Sequence, residues 1–528
     1  MSKPAVATQT QTPPRRKRTK RTTQGGRAAR IAQRKQNHRQ LSTGITQRQL
    51  PTLDILNEEA LAAIETQADW ILKEIGIEFR GDEEALRLFK AAGADVQGER
   101  IRFEPGHARQ LCRTAPASFR MESRNPAHSI ILGGKHVVLM PGYGSPFVTD
   151  LKQGRRYATL QDFHNFVKLS YQSPHLHHGS GTVVEPVDIP VNKRHLDMVY
   201  AHLRYSTKPF MGGVTAPERA QDSIDMAKIV FGADYLEQHC VIQGNINVNS
   251  PLVYDHTMSG ALRTYARAGQ SVAVSPAIFA GAMSPVSQAA VLAQTHAEAM
   301  VGIALSQLVR PGTPVVYGNF NTTMNLKSGA LTFGSPEANL SYFAFAQLGR
   351  RLGVPVRSGG GQITASNTAD AQAMQESTAS MMTAILSGSN MIYHSAGWLE
   401  GGLSMGYEKF MMDLDHCGMV LRLLQGIEVD AEALGQDAYR EIRPGGNFLS
   451  TSHTLRHFAN ANYESLLGDA GAYEQWLEQG SQTLEQRAQQ LWQQKLAEYE
   501  APDIDPAVDE ELLAFIQRRK NSMADEWY

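Results

Sequence analysis

Between residues 137 and 425 the sequence repeats one rhythm eight times, and this repetition limits the fold more than any other feature. A short apolar run ends in Gly, Ser, Asn or Pro, and a longer stretch with helical spacing follows. The runs are 137–140, 176–184, 209–214, 240–248, 271–278, 314–317, 355–359 and 390–393. The helical stretches include 160–171, 193–205, 217–230, 255–268, 286–308, 337–352, 368–387 and 406–424. Strands buried on both faces read as continuous apolar runs, without alternation. Eight such alternating units predict an α/β protein built on a (β/α)8 TIM barrel at 136–425. An open doubly wound sheet is the competitor, and the missing GxGxxG after the first run counts against it.

The flanks read differently. In 51–135, a helical pattern at 57–76 opens on Asn57 with Glu58 and Glu59 in its first turn, and a second helix is expected at 82–92. Ile101–Glu104 and Phe119–Glu122 alternate apolar and charged residues, and Ile130–Leu132 is a third short run. This region is expected to be an N-terminal α+β cap. In 472–499, apolar residues from Tyr473 to Tyr499 recur at three- and four-residue spacing, so 426–528 is expected to be a C-terminal helical extension.

Charge separates the first fifty residues from the rest. Of 51 Lys and Arg, 13 precede Asp54, the first acid, which leaves 38 basic against 52 acidic residues beyond it. Residues 1–50 read as a disordered basic tail on an acidic body. The sharper reading is an electrostatic arm for an acidic partner, but the tail lacks the aromatics that stack on bases, so nucleic acid is disfavoured. Three scattered cysteines, Cys112, Cys240 and Cys417, form no disulfide framework and point to a reducing, cytoplasmic setting. No apolar leader and no membrane span is expected.

A barrel of this kind carries its chemistry where the strands end. The residues that follow the runs include Gly142–Phe147, Gly179–Gly181, Asn245 and Asn247, Ser275, Tyr317–Phe320, Gly359–Gln362 and His394–Gly402. They are rich in glycine, amides and aromatics. Lys208 and Lys327 lie away from strand ends, so no Schiff-base lysine is indicated. His175, His177 and His178 belong to no recognised metal motif and read as packing or substrate contacts. Gly359–Gly361 either open the backbone to a large flat ligand or make a turn, and Gln362 follows them. Trp398 and Glu400, with Tyr393 and Tyr407 nearby, offer ring faces and one carboxylate, which suits a cation without hydrogen-bond donors, such as a quaternary ammonium. For Tyr407 the plainer reading is packing, and Phe410 and Met411 read as core.

Three stretches resemble the trimethylamine methyltransferase family. The first is Gly359-Gly360-Gly361-Gln362-Ile363-Thr364 with Asp370-Ala371-Gln372-Ala373 and Glu376. The second is Gly397-Trp398-Leu399-Glu400-Gly401-Gly402-Leu403 with Tyr407-Glu408-Lys409-Phe410. The third is Phe448-Leu449 with His453-Thr454 and His457-Phe458. The resemblance spans about 51–500 and implies a barrel that demethylates a methylated amine and passes the methyl to cob(I)alamin on a corrinoid partner protein. It implies no covalently bound cofactor and no metal in this chain. The trimethylamine enzymes carry pyrrolysine where Gln362 falls. Its absence here moves the expected substrate to a quaternary amine such as glycine betaine. On this reading Gln362 and Glu400 are the catalytic candidates, with Glu400 balancing the cation. Tyr317, Tyr393 and Trp398 would wall the cage, Asn247 and Gln362 would hold the substrate's polar end, and Arg357 is a further candidate for a carboxylate. Gly359, Gly360 and Gly361 are the candidates for contact with the cofactor. Tetrahydrofolate as direct acceptor and a non-catalytic betaine binder are the alternatives, and self-association is left open.

Overall fold

Seven of the eight apolar runs contain short parallel strands, and the helical stretches become helices within three residues of their expected ends. The computed structural model describes residues 43–527. The strands are β1 (Val138–Leu139), β2 (Phe210–Met211), β3 (Ile242–Ile246), β4 (Ser271–Val274), β5 (Val315–Asn319), β6 (Val356–Ser358) and β7 (Met391–Ile392). β2 to β6 form one parallel sheet in sequence order, and β7 pairs with β1, Val138 opposite Met391. The fold is therefore mixed α/β.

The second apolar run is not a regular strand, because Ser180 has a left-handed φ of +68° that interrupts the extended backbone. It still bonds on both sides: His177 N–H donates to Leu139 O, Gly179 N–H to Pro209 O, and Met211 N–H to Ser180 O. Between β6 and β7, Asn390 N–H donates to Val356 O and Gly361 N–H to Tyr393 O.

The intervening helices are α1 (Leu160–Gln172), α2 (Arg194–Tyr205), α3 (Pro217–Phe231), α4 (His256–Arg267), α5 (Gln288–Val309), α6 (Pro336–Leu352), α7 (Ala371–Leu386) and α8 (Tyr407–Leu424). Their starts are written in local chemistry. Thr159 and Asp162 form a capping box on α1, and Asp255, Ser335 and Asp370 accept from the first-turn amides of α4, α6 and α7.

Strands β2, β4 and β5 separate two cores. Ile242, Val272, Val274, Val315 and Tyr317 pack with the helices in the larger cluster. Val138, Met140, Met211, Ala273, Val316, Met391 and Tyr393 form a second cluster on the opposite strand faces. Met121, Ile130 and Leu132 of the hairpin Ser118–Met121/Ile130–Gly133 join this second cluster, and Glu122 N–H donates to Cys240 O just before β3. That hairpin packs against the side where the strands begin. At the other side, Phe147–Asp150, Gly154–Tyr157, Trp398–Leu399 and Ser404–Gly406 make a small sheet.

Three expectations need correction. Residues 1–42 lie outside the described residues, but 43–50 are not free tail: Arg48 is buried and donates to Ser389 O, and Val137 N–H donates to Thr46 O. The strand Ile77–Arg80 pairs with Val253–Asp255, so the cap shares its sheet with a segment from beyond β3. The stripe at 472–499 divides at Gly480 into Tyr473–Glu478 and Leu484–Ala497, and only the second helix packs firmly, with Ala488 buried. No described helix is long and apolar enough to cross a membrane.

Burial leaves several imidazoles neutral. It pulls His177, His178 and His296 down to about 3 and His202 to about 4. The unfolded chain therefore takes up protons first as pH falls below about 6.5, so stability is present above that value and lost toward pH 4. Each such group contributes a slope of about 1.4 kcal/mol per pH unit. Urea unfolding is expected to show a steep fall in midpoint between pH 7 and pH 5. A flat midpoint over that range would mean that the imidazoles are solvated.

Candidate functional site

The ends of β5, β6 and β7 bring a set of aromatic side chains around one buried arginine. Arg357 is on the β6 face that points away from the helices. Its guanidinium carbon lies 4.3 Å from the Tyr393 ring centroid and 5.2 Å from that of Phe320. Nη2 donates to His394 Nε2 at 3.4 Å. The His394 ring is 4.2 Å from Trp398 and 5.1 Å from Phe320, and Phe333 closes the group at 5.6 Å from Trp398 and 5.4 Å from Phe320. Phe333, Trp398, Tyr342 and Ile363 form one buried apolar cluster with Phe320 packed against it.

The electrostatics of this group are one-sided. Burial pulls the Arg357 guanidinium down to about 10, which still leaves it charged at neutral pH. Burial first, and Arg357 second, hold His394 well below the usual imidazole range, so the ring is neutral. Its Nε2 accepts from Arg357, so its proton sits on Nδ1. His394 Nδ1, Arg357 Nε, Trp398 Nε1 and the Tyr393 hydroxyl are all buried without a hydrogen-bond partner. Each such orphan costs ~1–3 kcal/mol when left without a partner, so this cluster of four is the candidate place for a ligand. Three of the four are pure donors, and no carboxylate touches the group among the described residues. His394 has a left-handed φ of +57°, a strained backbone of the kind that sets a side chain at a site.

Trp398, Tyr393 and Arg357 are thus brought together as the sequence suggests, and the others are not. Tyr317 faces the helices: its ring stacks on Phe345 of α6 at 4.3 Å and its hydroxyl meets His296 Nδ1 at 2.6 Å. It cannot wall the same cage. Gln362 turns toward α8, where its Nε2 donates to Ser395 O at 2.9 Å and Asp413 O at 2.7 Å, and its Oε1 meets His416 Nδ1 at 2.8 Å. Every polar atom of its amide is engaged in packing. Glu400 is held by Arg155 through both oxygens, at 3.0 and 2.8 Å, and Arg155 in turn covers Phe147, so this carboxylate already has its counter-ion. Asn247 is exposed just past β3, two residues beyond the buried Asn245, whose Oδ1 has no partner.

The glycine run does not cradle a ligand. A side chain on Gly359 would strike the Tyr342 ring at 2.5 Å, one on Gly360 would strike Ile363 at 2.6 Å, and one on Gly361 would strike Ser395 at 2.8 Å. These glycines let the chain's own side chains pack, and the positive φ of +67° at Gly359 makes the turn. Lys208 caps the end of α1 through Ser170 O and Ser173 O. Among the described residues only Glu432, His453 and His457 bring three metal-type ligand atoms together, within 4.8 Å. Glu432 is already paired with Arg456, so the group reads as an ion-pair network. Phe320, Phe333 and His394 carried no role in the sequence reading. Phe320 directly follows β5 and His394 lies two residues past β7, which was the available signal, whereas Phe333 comes from the loop before α6 and had none.

A buried ion pair supports the site from behind. Lys409 Nζ donates to Asp413 Oδ1 at 2.5 Å and to Ser377 Oγ at 3.0 Å, and Gly397 N–H donates to Asp413 Oδ2 at 2.8 Å, next to Trp398.

The family model and the most similar relatives at sequence level agree on one family. A family model described as trimethylamine methyltransferase (MTTB) matches residues 23–524. Glycine betaine methyltransferase of Desulfitobacterium hafniense (strain Y51) is 42% identical over 478 residues, 90% of this chain and 99% of that protein. Proline betaine:corrinoid methyltransferase of Eubacterium limosum is 29% identical, over 82% of this chain and 91% of that one. Trimethylamine methyltransferase MttB of Desulfitobacterium hafniense (strain DSM 10664 / DCB-2) is also 29% identical, over 82% and 87%. The solved structure of the Methanosarcina barkeri monomethylamine methyltransferase matches with a TM-score of 0.46 at 11% identity, over 88% of this chain and 97% of that one.

Proposed function

This chain belongs to the trimethylamine methyltransferase family, and we propose that it removes one methyl group from a betaine, glycine betaine foremost, and delivers it to a corrinoid protein. One observation carries this reading: a buried aromatic cluster holds unpartnered donors and a charged arginine, and no carboxylate touches it among the described residues. A bare cation would find π-faces there but no counter-ion, and Arg357 would repel it. A zwitterion brings its own anion for Arg357, His394 and Trp398 to bind, while its ammonium lies against the ring faces. The names of two relatives, glycine betaine methyltransferase and proline betaine:corrinoid methyltransferase, point the same way.

We also read the strands as a closed eightfold ring, the 136–425 barrel. The support is the set of backbone bonds that carries 176–180 between β1 and β2, and 390–393 between β6 and β1. On this reading 51–135 caps the ring and 426–528 extends it.

The chemistry asks little proton transfer of the protein. The methyl carbon leaves as its C–N bond breaks, the electron pair stays on nitrogen, and a neutral tertiary amine departs without an acid. A reduced corrinoid on the partner supplies the nucleophile. This chain excludes water and fixes the ammonium so that one methyl faces the open end. Gln362 and Glu400 are then positioning residues, Gln362 for the 395–398 segment and Glu400 for the rim strand of Arg155.

The test is turnover with a reduced corrinoid carrier, read as the absorbance of the methylated corrinoid. Glycine betaine is expected to react and trimethylamine and choline to react at least a hundredfold more slowly; equal rates would overturn the reading. Trp398→Ala is expected to lower kcat/KM for betaine by ~30-fold, the equivalent of a desolvated cation–π contact of about 2 kcal/mol. An unchanged kcat/KM would remove Trp398 from the pocket.

A further inference from the structure

Two histidines that the proposed reaction leaves without a role, His453 and His457, stand one turn apart on the helix Ser452–His457. Residues four apart on a helix share a face, and these two rings lie 4.5 Å from each other. Both turn Nε2 toward one residue, Glu432. His457 Nε2 meets its Oε1 at 3.0 Å, and His453 Nε2 meets its backbone O at 3.0 Å. That backbone is itself fixed, because Gly435, at a left-handed φ of +58°, donates its N–H to Glu432 O. One ligand-type atom from each of the three residues lies within 4.8 Å of the other two. Glu432 stands 21 and 25 residues before the histidines, so the fold makes this cluster and not the helix alone.

We propose that Glu432, His453 and His457 form a site for a divalent cation of the zinc class, where the family resemblance implied none. The donor set selects the ion. Two imidazoles and one carboxylate suit zinc, whereas calcium and magnesium take oxygen ligands. Two histidines at i and i+4 on one helix face are a spacing that holds zinc. A tetrahedral ion with bonds of ~2.0–2.1 Å sets its donors about 3.4 Å apart. The His457–Glu432 pair is already near that separation, and small side-chain rotations bring in His453. All three side chains are open to solvent in part, which leaves the fourth position to water.

The surrounding charge allows the exchange. As folded, Arg456 rests on Glu432 Oε1 and also pairs with Asp437. An ion-pair network and a metal site can share these atoms: the metal takes the guanidinium's place on Glu432, and Asp437 keeps Arg456 paired. The segment also has use for a cross-link. Between residues 426 and 462 the only buried side chains are those of Ala438 and Thr451. A stretch with so little core gains much of its order from a bound metal. One ion would tie the turn at 432–435 to the helix Ser452–His457 and close the loop between them. No pocket residue enters this site, so it stands apart from the proposed reaction.

The test is calorimetric titration of zinc chloride into the full chain, free of affinity tags and stripped with a chelator. One tight site per chain is expected, with magnesium and calcium failing to compete. His457→Ala is expected to weaken that site by on the order of a hundredfold, the upper end of what even an outer-shell partner costs. Hydrogen exchange at 430–458 is expected to slow on adding zinc to the wild type and to stay unchanged in His457→Ala. The absence of a tight site would overturn the proposal, as would equal affinity in His457→Ala or zinc that leaves exchange at 430–458 unaltered. Should His457→Ala fail to fold, Glu432→Gln is expected to lower zinc affinity at least tenfold, and unchanged affinity would count against the site.

Discussion

Arg357→Met is expected to raise the Kd for glycine betaine by about a hundred- to a thousandfold, while tetramethylammonium binds no more weakly than to the wild type. The magnitude follows from removing one partner of a buried charge pair, which costs ~2–5 kcal/mol. Arg357 is charged, buried, and stacked against Tyr393 and Phe320, so its side chain is already ordered before any carboxylate arrives. The methionine keeps most of the volume against the rings and loses the charge. A ligand without a carboxylate makes no use of that charge and is repelled by it, so its affinity should hold or rise. Calorimetric titration of both ligands separates the outcomes. Parallel losses for betaine and tetramethylammonium would mean that Arg357 only supports the rings and does not bind the acid.

Lys409→Met is expected to cost about 3–5 kcal/mol of folding stability at pH 8, the usual price of leaving one member of a buried ion pair alone. Both side chains of the pair are fully buried. Burial pushes the Asp413 carboxyl up, and Lys409 pulls it back down. Without the lysine the carboxyl rises further, and the folded variant must hold it protonated. The unfolded chain ionises it above about pH 4, so the variant loses stability as pH rises and the deficit against wild type narrows toward pH 5. The acid sensitivity of the buried histidines is common to both proteins and cancels in the difference. Urea unfolding of the two at pH 5 and pH 8 reads this directly, and a deficit that grows on acidification would contradict it. Because Asp413 also accepts from Gly397 N–H, the variant is expected to lose turnover through Trp398 even where it stays folded.

The alternating architecture was legible in the sequence because strand and helix differ in hydrophobic period and helix starts carry their own caps. The stretch 160–171 becomes Leu160–Gln172, started by the capping box of Thr159 and Asp162. Which way a strand residue faces was not legible. A strand buried on both sides has no polar alternation to reveal its parity. Val315, Val316 and Tyr317 are all apolar, and only the folded chain shows Val316 opposite the helices and Tyr317 among them. Arg357 raised the same ambiguity, and there the inward alternative is the one observed. The pairing of Glu400 was not legible for another reason: its partner Arg155 lies 245 residues away, and no local pattern announces a pairing over that span. Phe333 reached the pocket from a loop, where no period applies.

The hairpin that carries Met121, Ile130 and Leu132 has a kinetic consequence. On the closed-ring reading proposed above, the hairpin shuts one end of the ring and leaves the other as the doorway. Under the proposed reaction the betaine, the carrier's reactive face and the departing tertiary amine all use that doorway. The carrier cannot sit over it while the amine escapes, so the sequence of events is compulsory: betaine enters first, the carrier closes over it, and the carrier lifts away before the amine leaves.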